Sequence, residues 1–161
     1  MKDLSQLGHV RQNSDPVGIV PFDEGYVAAL GHFIYVVSYL EWCVLGDLPH
    51  LQGLPSELEV SRLAGETTGV IGRRIGAHLA KVGDPALRRW LDAAARSLTE
   101  VADLRNHVLH ARPATVNGRH VLYRWRPPHD AVAITDEWLS EHTAEVETRI
   151  TEQNTLRVFR P

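Results

Sequence analysis

The run PALRRWLDAAARSLTEVADLRNHVLHARP, from Pro85 to Pro113, decides how the rest of the chain is read. Asp84 stands where an N-cap would and Pro85 at the first helical position, an arrangement that starts a helix cleanly. Leu87, Trp90, Leu91, Ala94, Leu98, Val101, Leu104 and Val108 then recur at three- and four-residue intervals, so one face is built for a core. The spacing predicts a helix to about Ala111, stopped by Pro113. Beyond it the period changes from 3.6 to 2. Ala114 to Trp125 alternates about Asn117-Gly118, a hairpin signature, and Ala131 to Ile134 predicts a third short strand.

Toward the N-terminus, Asp23 to about Leu45 carries a stripe of Tyr26, Leu30, Phe33, Ile34, Val37, Leu40 and Val44. Val27, Tyr35, Val36, Tyr39 and Trp42 add apolar surface on its other sides, which predicts a helix buried on more than one face, central in the domain or at a subunit interface. Glu41 within it is a carboxylate that needs either water or a partner. A short helical piece is expected around Ser56–Leu63, and a second main helix opens at Thr67 or Thr68 and runs through Lys81. The Gly69, Gly72 and Gly76 of that helix weaken it but permit close helix packing. The last helix opens at Thr135 or Asp136 and spans Glu137 to about Thr155. Residues 1–21 lack a helical stripe and are expected to form a loose lead-in.

The expectation is therefore one mainly all-α domain over 1–161, a bundle of four main helices with a small β-hairpin inserted between the last two. A chain of 161 residues is long enough for a proper core. Cys43 is the only cysteine, which excludes an intrachain disulfide and a cysteine-based zinc cluster. No secretory signal pattern opens the chain, and the apolar run Phe33 to Leu45 is short for a bilayer span, so a cytoplasmic protein without a membrane association is expected.

Charge singles out the end of the quoted helix. Between Leu104 and His129 there are five arginines and no acid, and a net −3 overall with this local +5 leaves −8 elsewhere. Such a basic segment on an acidic body points to a phosphate-bearing ligand. Asn106 and His110, four apart, share a helix face, whereas Arg105 lies about 140° round from His110. An imidazole can take or give a proton near neutral pH, and a guanidinium can stabilise the charge of a pentacovalent phosphorus centre. These are sufficient parts for RNA cleavage without a metal, because the ribose 2′-hydroxyl is itself the nucleophile. The structural alternative is a helix end where Arg105 pairs with Glu41 or Glu100 and the other side chains cap carbonyls.

Arg105-Asn106-His107-Val108-Leu109-His110 resembles the Arg-Asn-x-x-x-His motif of the HEPN superfamily, small helical bundles that include ribonucleases of toxin–antitoxin, defence and RNA-processing systems. The resemblance covers this six-residue motif and the helix order. It implies His110 as acid/base group, Arg105 as phosphate contact, Asn106 as the residue orienting them, and a homodimer with two motifs across a cleft. It also implies RNA as substrate, an antitoxin protein as a further partner, and no cofactor. Members silenced by a nucleotidyltransferase partner carry Tyr two positions after the His, where this chain has Arg112.

Around that centre, His107, Arg112, Arg119, Arg124 and Arg126 are candidate RNA contacts, with Tyr123 and Trp125 interleaved as stacking platforms. His107 and His110 with His120 or His129 are a weaker metal alternative, and no metal is expected. A second Arg-x4-His pair, Arg73 and His78, lacks the Asn. The rival reading is a non-catalytic HEPN-like module that binds RNA, a nucleotide or a protein partner, and a third is a plain interaction bundle.

Overall fold

Three of the four main helices begin at a side chain able to replace their missing backbone partners. In the computed structural model, which describes residues 23–125 and 131–157, Asp23 accepts from Tyr26 N–H at 3.0 Å and opens α1, Glu24–Asp47. Asp84 accepts from Ala86 and Leu87 N–H at 2.7 and 2.9 Å and opens α4, Pro85–Leu109. Thr135 accepts from Trp138 N–H at 3.2 Å and opens α5, Asp136–Thr155. Caps of this kind each contribute about 1 kcal/mol. Between them lie a single turn, α2, Val60–Leu63, and α3, Thr68–His78. The lead-in over 1–21, Arg126 and His129 fall outside the described residues.

The protein is mainly helical with a three-stranded antiparallel sheet, so the mainly all-α expectation holds, with five α-helices among the described residues rather than four. The fifth, α2, is the short piece expected before the second main helix. That second helix ends as α-helix at His78 and tightens into a 3₁₀ turn over Leu79–Lys81, short of the expected continuous run.

The sheet follows α4 directly. Strand β1, Arg112–Val116, pairs with β2, Arg119–Arg124, and β2 pairs with β3, Val132–Ile134. Asn117 and Gly118 both take positive φ, 50° and 79°, the two-residue turn whose twist suits a hairpin. The Tyr26 hydroxyl is built into this sheet. It accepts from Leu122 N–H at 2.8 Å and donates to Ile134 O at 2.8 Å, bridging β2 and β3 at their paired residues and tying them to the start of α1.

Helix α3 lies along α4, and α1 along α5. The α3–α4 contact is close because of glycine: a Cβ on Gly72 would stand 2.6 Å from Thr99 Oγ1 and 2.9 Å from Ala95 O. Phe33, Leu40, Leu58, Leu63, Ile71, Trp90, Leu91, Leu98 and Leu139 are fully buried, each apolar side chain contributing roughly 1.5–3 kcal/mol.

Of the two expectations for α1, a helix central in the domain is not what one copy forms. The helix buries Phe33, Val37, Leu40 and Val44 but leaves Tyr35, Tyr39 and Trp42 exposed, so within one copy it covers one broad face only. Its inner side meets α5 and α4, and the exposed aromatic side chains lie on the opposite side. By length and composition alone the helix could cross a membrane, yet its inner face is part of the domain core.

Candidate functional site

The end of α4 divides the expected site into an inner and an outer half. Arg105 follows the core face of α4, in line with Val101 and Val108, and is half-buried. Its Nη1 donates to Thr68 Oγ1 at 2.9 Å, and that hydroxyl donates to Glu41 Oε2. Thr68 is itself completely buried at the first turn of α3, where the helix dipole favours a carboxylate. A chain of three polar side chains therefore joins α1, α3 and α4. It answers the demand that Glu41 places on the apolar α1, since the half-buried carboxylate is hydrogen-bonded rather than orphaned.

The chain does not satisfy Arg105 fully. Its Nε is buried without a hydrogen-bond partner, and among the described residues no carboxylate lies within 4.0 Å of the guanidinium. The structural alternative of a direct Arg105 ion pair with Glu41 or Glu100 is thus not what forms. Glu100 instead pairs with Arg149 at 2.5 Å.

The outer half is solvent-facing. His110 is exposed and occupies the C-cap position, its backbone N–H bonded to Asn106 O at 3.2 Å. Asn106 is half-buried, and neither its side chain nor that of His110 has a hydrogen bond or ion pair among the described residues. The expected Asn106–His110 side-chain bond is not formed. Arg105 turns toward α1 and α3 while His110 turns to solvent, so the two are not brought together within one chain.

The other candidates separate in the same way. His107 is half-buried, its Nδ1–H donating to Asp103 O at 2.8 Å and its ring 6.3 Å from that of Trp138. Trp138 in turn lies 4.3 Å from the His142 ring. His142 Nδ1 is 3.0 Å from Glu145, whose carboxyl the Arg149 guanidinium, and then His142, hold below the usual range. Arg112 is exposed and has no ion pair among the described residues, whereas Arg119 forms one with Asp136. By strand alternation and register, Arg112, Arg119 and Tyr123 fall on one face of the hairpin and His120 and Arg124 on the other. The arginines therefore do not form one continuous basic surface. Trp125 is exposed, and the Tyr123 hydroxyl is buried without a partner. Among the described residues no three His, Cys, Asp or Glu side chains gather as a metal-binding group.

Thr68 is the residue that sequence reasoning passed over. As a threonine at a helix start it suggested a cap, but the cap position is Thr67, without a side-chain bond, and the Thr68 hydroxyl serves Glu41 and Arg105. A carboxylate on an apolar helix and an arginine in register with a core stripe were its available signals.

No family model, no curated protein and no solved structure matches this chain.

Proposed function

We propose that the protein is a HEPN-like endoribonuclease that cuts RNA without a metal, with His110 as the proton-transfer group and Arg105 as the phosphate contact. The observation that carries this reading is the contrast at the end of α4. Among the described residues a half-buried guanidinium has an unpartnered Nε and no carboxylate within 4.0 Å, and an exposed imidazole without a side-chain partner lies five residues further on. A half-buried cation without a direct counter-ion favours an anion, and an exposed imidazole at the rim suits proton transfer.

In the proposed step the ribose 2′-hydroxyl attacks the adjacent phosphorus and gives its proton to one neutral imidazole. The bond to the 5′ oxygen breaks, and that oxygen takes a proton from a second, protonated imidazole. The products are a 2′,3′-cyclic phosphate and a 5′-hydroxyl. Because Arg105 and His110 diverge on one helix, the reading requires a second copy, so that two His110 side chains and at least one Arg105 meet across a shared cleft. Arg112, exposed beside it, is the hairpin residue best placed to meet the RNA backbone. A neutralising antitoxin partner and a cytoplasmic setting accompany this proposal.

The test is incubation of the protein with RNA in EDTA, followed by analysis of the ends. Cyclic-phosphate termini, intact DNA and loss of cutting in His110→Ala are the expected results; a His110→Ala protein that cuts as fast as the parent sinks the proposal. A second reading, a non-catalytic HEPN-like module that binds RNA, a nucleotide or a protein, is favoured by the Thr68–Glu41 tether, which already spends one edge of the Arg105 guanidinium. It predicts RNA retention without cleavage.

A further inference from the structure

The back of α1 is a long helical surface without a lysine, arginine or carboxylate at its exposed positions from Val27 to Gly46. Apart from His32, which pairs with Glu147 of α5 at 3.9 Å, those positions are apolar, small or hydroxylic, and Tyr35, Tyr39 and Trp42 are 66 %, 45 % and 71 % exposed. A solvent-facing helix ordinarily carries charged residues there. Gly31, in the middle of the helix, adds a second oddity. A Cβ at this position would meet nothing within 4 Å, so no packing inside the protein asks for a glycine that weakens the helix.

Both oddities are resolved by one arrangement. Ala28, Gly31, Tyr35, Ser38, Trp42 and Leu45 follow one another at alternating spacings of three and four, the seam of a helix pair. The seam is its own complement when reversed about a point between Val36 and Val37. Ala28 then faces Leu45, Gly31 faces Trp42, and Tyr35 faces Ser38, so every contact sets a small residue against a large one. A parallel pairing would instead put Trp42 on Trp42 and leave Gly31 opposite Gly31 as a void.

We infer that the outer face of α1 docks a second copy of this chain, with the two α1 helices antiparallel about a two-fold axis and Trp42 of each packed over Gly31 of the other. An isologous contact needs such self-complementarity, and here no charge opposes its like across the axis. Aromatic side chains bury roughly 150–250 Å² each, so the three exposed ones offer several hundred Å² per copy, and the pair approaches the roughly 1,200 Å² at which specific interfaces begin. A lipid surface fits the face less well. Interfacial helices carry Lys and Arg on their polar side, whereas α1 has neither and bears Glu24, Glu41 and Asp47. The inference rests on α1 alone and stands whether or not the chain cuts RNA.

Sedimentation equilibrium of the full chain across a micromolar range reads the association constant. The parent is expected to be a dimer. Gly31→Trp sets Trp against Trp and Trp42→Gly leaves a void, so each alone weakens the dimer by about tenfold or more. The double swap restores the complementary pair and brings the affinity back. A monomeric parent, or a double swap no tighter than either single variant, overturns the inference. Should a variant fail to fold by circular dichroism, the parent with p-benzoylphenylalanine in place of Trp42 decides the matter. Intermolecular crosslinks to the segment around Gly31 support the pairing, whereas crosslinks to residues 1–22 or elsewhere overturn it.

Discussion

Arg105 Nη1 stands 2.9 Å from Thr68 Oγ1, and through that one hydroxyl the guanidinium is linked to Glu41 on another helix. Thr68 has a single proton and gives it to the carboxylate, so its lone pair is left to receive from Arg105. Removing the hydroxyl strands both neighbours at once. Thr68→Val, nearly the same shape, is expected to lower the unfolding free energy by about 1–3 kcal/mol, while Thr68→Ser keeps both bonds and loses less. Urea unfolding midpoints at constant slope check this, and equal losses for Val and Ser would refute the bridging role.

His110 predicts the opposite balance of stability and activity. Its side chain is exposed and unbonded among the described residues, so His110→Ala is expected to change stability by no more than about 0.5 kcal/mol. If it transfers protons, the same change slows RNA cleavage by roughly 10²–10⁴-fold. Thermal melts and cleavage time courses on one preparation separate the two effects.

The Tyr26 hydroxyl is one of the ties between the sheet and the bundle. Tyr26→Phe leaves Leu122 N–H and Ile134 O without their bridge and is expected to cost about 1–3 kcal/mol. Hydrogen exchange at the Leu122 amide should accelerate more than at Val121. Burial raises the Tyr26 hydroxyl above its ordinary pKa, so the bridge persists through mildly alkaline pH.

Gly72 and Gly76 sit one turn apart on α3 and should respond with opposite sign. At Gly72 a methyl would collide with Ala95 O and Thr99 N, backbone atoms that cannot step aside, and Gly72→Ala is expected to destabilise by about 1–3 kcal/mol. At Gly76 the nearest atom would be Ala95 Cβ at an ordinary 3.7 Å. There Gly76→Ala is expected to stabilise by roughly 0.5–1 kcal/mol by favouring the helix. Chemical denaturation of the two variants side by side is the check.

Glu57 sets a pH dependence. Its hydrogen bond from Lys81 at 2.6 Å, and then its own backbone N–H, hold the carboxyl down to about 2 from an ordinary 4.5. A depressed carboxyl stabilises the fold above its unfolded pKa and loses that contribution as pH falls through the folded value. Glu57→Gln should therefore lower the melting temperature at pH 6 and leave it unchanged below pH 2. Because the pair is exposed, added salt should shrink the difference at pH 6.

Most of the fold was legible in the residues themselves. Asp84-Pro85, the 3.6-residue stripe and the Asn117-Gly118 turn are local signals, and local sterics and hydrogen bonding sufficed to place α4 and the hairpin. The end of α3 was less legible, because tightening into a 3₁₀ turn at Leu79 depends on what packs beyond it. The back of α1 left two expectations open for the same reason: an apolar residue states that it can be covered, not whether its own chain or a second copy covers it.

The candidate site divides along that line. From its own order of residues the chain determined that Arg105, Asn106 and His110 stand at a helix end ahead of an acid-free basic segment, since spacing on a helix is a local property. Tertiary structure alone decided that Arg105 turns inward to Thr68 and Glu41, that Arg119 is held by Asp136, and that the His110 side chain finds no partner among the described residues. Partners brought together over 27, 37 and 17 residues of separation are chosen by the packing of whole helices and strands, which no short stretch of sequence encodes.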